Sequence, residues 1–117
     1  MTELQFTAAC AKEFNHKFPI YRDNLYRIKN ELDNHPRKSA LDKMKQLAEN
    51  KATGVRNGVA DLLLIDLNGN SIWIELKLPN GSQSTEQKKF QSIVKNYYLC
   101  YSVEQFLQIC TNHLTLA

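Results

Sequence analysis

The sequence predicts an α/β domain: a mixed central sheet flanked by helices. Three observations lead there. Leu62-Leu63-Leu64-Ile65 is a continuous apolar run of strand length, the pattern of a strand buried on both faces. Residues 71–78 alternate, with Ile72, Ile74, Leu76 and Leu78 on one side and Trp73, Glu75 and Lys77 on the other, the period of a strand with two unlike faces. Around this pair lie stretches with apolar residues at helical spacing, several opening on a residue that can cap a helix N-terminus.

Taken in order, residues 3–18 read as a helix with Thr2 as N-cap and Leu4, Ala8, Cys10, Ala11, Phe14 and Phe18 as its apolar face. Pro19 ends it. Asn24 to Lys29 reads as a short strand carrying Leu25 and Ile28, and the polar stretch 30–38, with Asn34, His35 and Pro36, as a loop. Ser39 is placed to cap a basic helix over 40–50 with Leu41, Met44, Leu47 and Ala48 facing inward. Gly54 and Gly58 punctuate a loop from Thr53 to Ala60. After the two central strands, Pro79, Asn80 and Gly81 break the chain. Ser84 starts a helix with Gln87 as capping-box partner and Phe90, Ile93 and Val94 inside. Tyr97 to Tyr101 reads as a strand, and Ser102 caps a last helix carrying Phe106, Leu107, Ile109 and Cys110. The expected order is α-β-α-β-β-α-β-α in one domain spanning 1–117.

The totals exclude several classes. With 117 residues, 43% hydrophobic and 23% charged, the composition is that of a soluble globular domain. No apolar run approaches the ~20 residues that span a bilayer, and the N-terminus lacks a basic-then-apolar leader. The expectation is a cytoplasmic protein with no membrane partner. Cys10, Cys100 and Cys110 are an odd, widely spaced set without a CxxC, so they read as small core residues rather than as disulfides or zinc ligands. His16, His35 and His113 form no ligand pair at helical spacing. Net charge is +3, but residues 37–56 alone carry six basic side chains (Arg37, Lys38, Lys43, Lys45, Lys51 and Arg56) against two acids. Such a stretch is either a phosphate-facing surface or a solvated helix face.

Chemistry centres on the alternating strand. Glu75 and Lys77, two apart, project from one face. Alone they read as an ion pair on an exposed sheet. Asp61, at the mouth of the buried strand, turns them into a possible site if the hairpin register brings it to that face. A two-residue Asn68-Gly69 turn pairs Glu75 with Leu62 and sends Asp61 to the wrong side. A three-residue turn, Leu67-Asn68-Gly69 with Gly69 left-handed, pairs Glu75 with Asp61, so a shared site predicts either that turn or a bulge near Asp61. Two carboxylates side by side repel unless a cation lies between them, and oxygen ligands suit Mg²⁺ or Mn²⁺. With Lys77 to hold a phosphate oxygen or orient a water, these parts suit metal-assisted phosphodiester hydrolysis.

Gly58-Val59-Ala60-Asp61, Ile74-Glu75-Leu76-Lys77, Gly81, Ser84 and Gln87 resemble the PD-(D/E)XK nuclease superfamily, and within it the VRR-NUC family of phages and repair nucleases. The likeness runs from about Glu3 to the last helix. It implies a restriction-endonuclease-like fold in which Asp61, Glu75 and the backbone carbonyl of Leu76 bind the metal. Lys77 would then serve water and phosphate, and Gln87 would help arrange the site. Glu3-Leu4-Gln5 is similar to the family's N-terminal helix motif, which supplies a further acid. Ala60 departs from the usual Pro before the Asp. Two residues keep local readings as well: Gln87 as a capping-box residue and Glu3 as a charge favouring a helix N-terminus. The resemblance further implies a DNA endonuclease, similar in its free-standing members to homodimeric Holliday-junction resolvases. Lys88 and Lys89 join the basic residues of 37–56 as expected phosphate contacts. The rival class is a non-catalytic nucleic-acid- or protein-binding domain that keeps the fold.

Overall fold

The computed structural model describes residues 1–28, 39–52 and 58–115, the side chains of 50 and 51 excepted. The expected loop over 30–38 and most of that over Thr53 to Ala60 lie outside the described residues. The first helix, α1 (Glu3–Lys17), is closed at its start by a capping box: Thr2 Oγ1 accepts from Gln5 N–H at 3.1 Å and Gln5 Oε1 accepts from Thr2 N–H at 2.8 Å. A 3₁₀ segment, Pro19–Asn24, leads into β1 (Leu25–Arg27). Then come α2 (Ala40–Ala52), β2 (Leu62–Ile65), β3 (Ser71–Leu76), α3 (Thr85–Ile93), β4 (Tyr97–Cys100) and α4 (Val103–Leu114). The four strands form one mixed sheet in the order β1-β2-β3-β4, antiparallel except for the parallel β3–β4 pair that α3 bridges.

One face of the sheet carries the core. Leu62, Leu64, Ile72, Ile74 and Leu76 are buried there with Phe6, Cys10 and Phe14 of α1 and Phe106, Cys110 and Leu114 of α4. Phe14 and Phe106 meet with ring centroids 6.3 Å apart, so the two helices close over the sheet as one layer. Each fully buried side chain of this size contributes roughly 1.5–3 kcal/mol. All three cysteines are buried and free, their thiols pushed up to about 12 chiefly by burial; they are packing residues with no reactive thiolate. On the other face, Phe90 of α3 stands edge-on to Trp73 at 5.0 Å and lies 6.3 Å from Tyr97.

Three expected apolar faces are corrected. In α1 the core positions are Phe6, Cys10 and Phe14, and Leu4 and Ala8 are exposed. In α2, Ser39 does cap the helix, accepting from Asp42 N–H at 3.1 Å, but Leu41, Met44, Leu47 and Ala48 face outward, Met44 being 66% exposed. In α3, Phe90 packs inward while Ile93 is 76% exposed. The reason is shared: α1 with α4 fills one sheet face and α3 lies on the other, so an apolar side chain at helical spacing has a core to join only where its helix meets the sheet. No helix among the described residues is long and apolar enough to cross a membrane.

The β2–β3 turn sets the register. Leu62 pairs with Ile74 and Ile65 with Ser71, which makes Leu67-Asn68-Gly69 a three-residue turn closed by Asp66 and Asn70. Asp66 N–H donates to Asn70 O at 2.9 Å, and Gly69, at φ +84°, donates to Asp66 O at 3.1 Å. The Asp66 carboxylate seals it by accepting from Asn68 N–H at 2.9 Å and Asn70 N–H at 2.8 Å. The Asn70 bonds hold its carboxyl below the usual carboxylate range. A two-residue turn would place Leu67 opposite Asn70 and leave Asp66 outside these bonds.

Among the described residues two glycines have left-handed backbone, Gly58 (φ +87°) and Gly69. At Gly69 an added Cβ meets open space, whereas at Gly58 it would lie 2.5 Å from the Glu86 carbonyl carbon in the first turn of α3. Denaturant melts are therefore expected to rank three variants. Gly69→Asn costs least, Gly69→Ala about 1 kcal/mol, and Gly58→Ala most, because strain and overlap with backbone combine there.

Candidate active site

The turn decides what stands beside Glu75. Counting outward from Leu62–Ile74, the next opposed pair is Asp61 and Glu75. Because Asp66 and Asn70 are hydrogen-bonded partners, alternate pairs from the turn are hydrogen-bonded and the Asp61–Glu75 pair is not. That is the kind of pair in which facing side chains come closest. The Asp61 backbone is engaged on its other side, its carbonyl accepting from Ile28 N–H at 2.8 Å. Its side chain crosses to β3, where Oδ2 accepts from Leu76 N–H at 2.8 Å. This bond replaces the one that residue 60 would have made had the ladder continued, and Ala60 is fully buried beneath. One Asp61 oxygen thus ties the two strands together at their end.

Glu75 is 2% exposed and Lys77 8%. The pair is therefore no solvated surface ion pair. Lys77 Nζ lies 3.7 Å from Glu75 Oε1, its stem passing Gly81, where an added Cβ would come within 3.3 Å of Lys77 Cδ. Gln87 completes the approach from α3, capping its helix and bonding the acid at once. Its Oε1 accepts from Ser84 N–H at 2.8 Å while Ser84 Oγ accepts from Gln87 N–H at 3.1 Å. This leaves Nε2 to donate to Glu75 Oε1 at 2.9 Å. The capping box fixes which end of the amide faces the acid. The other carboxylate oxygen, Glu75 Oε2, is buried without a hydrogen-bond partner.

Burial, and after it the adjacent Asp61 carboxylate, pushes the Glu75 carboxyl up to about 8; Lys77 opposes this and Glu3 adds slightly to it. The ion pair and the raised value pull in opposite directions. The raised direction prevails, because at 3.7 Å a single ammonium does not offset a buried site shared with a second acid. Glu3, exposed in the first turn of α1, stands within electrostatic reach of Glu75 but does not join the pair. Among the described residues no group of three or more His, Cys, Asp or Glu side chains is placed to hold a metal ion.

The structure thus brings Asp61, Glu75, Lys77 and Gln87 together and leaves Glu3 apart. Lys88 and Lys89 are exposed in the turn of α3 that carries Gln87, and Lys45 is exposed on α2 with Lys43 half-buried. Arg37, Lys38, Arg56 and the side chain of Lys51 lie outside the described residues. Two neighbours have no sequence motif behind them. Tyr97, opposite Trp73 in the β3–β4 register, feels both acids: burial first and then, more weakly, Glu75 and Asp61 raise its hydroxyl above the usual value. Gln83 donates to that hydroxyl at 3.2 Å. For Tyr97 the one signal is strand parity, which sends it to the face of Trp73 and Glu75; Gln83, in the loop before α3, has none.

Comparison of the chain with protein-family models, with curated proteins and with solved structures found no match.

Between about 4.5 and 8 the folded chain keeps a proton on Glu75 that the unfolded chain has lost. Stability without divalent cations should therefore fall as pH rises through that window. Thermal melts in chelator are expected to show this fall in the wild type and to lose most of it in Glu75→Gln. Gln87→Glu keeps an acceptor for the Ser84 cap but sets a third acid against Glu75. Its melting temperature should match the wild type near pH 5 and drop below it near pH 8.

Proposed function

We propose that the protein is a Mg²⁺- or Mn²⁺-dependent DNA endonuclease, with Asp61, Glu75 and Lys77 at its reacting centre and branched or Holliday-junction DNA as its substrate class. The single observation that carries this reading is the buried, unpartnered Glu75 Oε2 beside a second carboxylate. Without a metal the two acids are relieved only by keeping a proton on Glu75, and a divalent cation would replace that proton and meet both. The donor set fits a hard divalent ion. Asp61, Glu75 and the Leu76 carbonyl offer only oxygen, and two carboxylates suffice for Mg²⁺, which keeps several of its waters. Such an ion supplies charge neutralisation at the phosphodiester and makes water a better nucleophile.

The chain's own residues account for the remaining roles. Asp61 holds its place through Leu76 N–H, so one of its oxygens is fixed by backbone. Gln87 and Lys77 both engage Glu75 Oε1, which fixes the rotamer of Glu75. Lys77 carries positive charge to the edge of the acid pair, where a non-bridging phosphate oxygen or an attacking water can be held. Exposed Lys88 and Lys89 lie one and two residues beyond Gln87, suited to neighbouring phosphates, and Lys43 and Lys45 extend the same role to α2. The mixed four-stranded sheet and the order of its elements support a restriction-endonuclease-like reading of the fold. A homodimer belongs to the same proposal, and the outward Leu41, Met44 and Leu47 of α2 are a surface that a second copy would cover.

The test is incubation with branched, flap and linear DNA plus Mg²⁺ or Mn²⁺. Cleavage is expected to fall on the order of a hundredfold or more in Asp61→Ala, Glu75→Ala and Lys77→Ala. Absence of cleavage of every substrate by the wild type would favour a binding module on the same fold. Neutralising Lys43 and Lys45 together should weaken DNA binding at any sequence. It should also lower the slope of log affinity against log salt by about one for each phosphate left without its cation. An unchanged slope rejects that surface.

A further inference from the structure

The strand registers line up two rows of side chains on the face of the sheet that α3 shares. Ile28 N–H donates to the Asp61 carbonyl, so Ile28, Asp61, Glu75 and Leu99 stand side by side across the sheet. Two residues along, Tyr26 pairs with Leu63, Leu63 with Trp73 and Trp73 with Tyr97. A two-residue step keeps the face. This second row therefore points the way Asp61 and Glu75 point, about 7 Å from them along the strands. It consists of three aromatic rings and a leucine and carries no charge. α3 covers its β3–β4 end, where Phe90 meets Trp73 at 5.0 Å and Tyr97 at 6.3 Å. Toward β1 the row is open: Leu63 is half-buried and Tyr26 is 50% exposed.

Size and place limit what can lie there. A wholly buried aromatic side chain covers roughly 150–250 Å². Tyr26, Leu63 and the open part of Trp73 thus fall well short of the roughly 800 Å² that each partner gives to a stable protein complex. Tyr26 and Trp73 are two strand spacings apart, about 10 Å, with Leu63 between them, which is room for one nucleobase. Ring faces and aliphatic side chains take the flat of a base whatever its identity, and a base offers that flat only when it is out of its own stack. The neighbouring acids supply the reason for a base to be there: a strand held by its phosphodiester at Asp61 and Glu75 has its next nucleotide within reach of the adjacent row. We propose that Tyr26, Leu63 and Trp73 form a stacking platform for an unpaired base beside the cleaved bond, so that the enzyme prefers DNA already unpaired next to a branch. The inference rests on the nuclease reading, but base binding can be measured without cleavage.

Trp73 is the single tryptophan of the chain, so its fluorescence reports on the platform directly. The experiment titrates the full chain, in chelator, with a short oligothymidylate and with an abasic oligonucleotide of equal length. The oligothymidylate is expected to quench Trp73, and the abasic strand to bind about tenfold more weakly with little quenching. Tyr26→Ala should weaken oligothymidylate binding about tenfold, whereas Tyr26→Phe, which keeps the ring, should bind as the wild type does. Tyr98→Ala is the control. Tyr98 is an exposed ring next to Tyr97 but on the opposite face, where its hydroxyl meets His113 at 2.9 Å, and its loss should leave binding unchanged. The abasic strand keeps the test independent of how any variant folds. Absence of quenching, equal binding of the abasic strand, or an equal loss in Tyr98→Ala would overturn the platform. So would a Tyr26→Ala protein that loses self-association in sedimentation while keeping its affinity for oligothymidylate, since the face would then be a contact between copies. If oligothymidylate binds as described but no DNA is cleaved, the platform stands and the nuclease reading fails. If DNA is cleaved while the abasic strand binds as well as oligothymidylate, the platform alone fails.

Discussion

Asp61 and Glu75 face each other at the end of the β2–β3 ladder, and the repulsion between two carboxylates there is the constraint that the surrounding structure answers. Coulomb repulsion at such a distance, out of bulk water, is worth several kcal/mol. Each neighbour reduces it in part. Leu76 N–H takes one Asp61 oxygen; Gln87 and Lys77 take one Glu75 oxygen. What remains is Oε2 without a partner and a carboxyl that keeps its proton well above the usual carboxylate range. Either a proton held between the two acids or a bound cation relieves what is left, and the proposed metal site is the second of these.

Everything that creates this pair is local and modest. The odd-length turn decides which face Asp61 joins. That turn depends on Asp66, whose carboxylate caps two backbone amides, and on a glycine that accepts positive φ. A turn one residue shorter would move Asp61 to the core face, where a carboxylate would be buried among Leu64, Ile72 and Ile74. The capping box of α3 does comparable work at a distance, since the Ser84–Gln87 exchange settles which end of the Gln87 amide meets Glu75.

Much of this is legible in the residues. The apolar run at 62–65, the alternation at 71–78 and the capping residues Thr2, Ser39, Ser84 and Ser102 correspond to elements that form. Turn length is not: Asn68-Gly69 permits two registers, and the choice depends on Asp66 side-chain bonds that no dipeptide rule contains. Gln87 admits alternative roles because a sequence shows a side chain once, while an amide has two ends. The outward stripe of α2 and the exposed Ile93 are not legible either. Helical periodicity reports that a helix has an apolar face, and only tertiary placement says whether the face meets a sheet. The row of Tyr26, Leu63, Trp73 and Tyr97 is hidden for a similar reason, since its members stand apart in the chain and only the strand registers align them.

The most direct test of the account is a ¹³C NMR titration of the Glu75 side-chain carboxyl in metal-free protein, in the wild type and in Asp61→Asn. The midpoint should lie near 8 in the wild type, fall clearly when Asp61 loses its charge, and move to lower pH when Mg²⁺ is added. A midpoint near 4.5, the same in both proteins and indifferent to Mg²⁺, would contradict it.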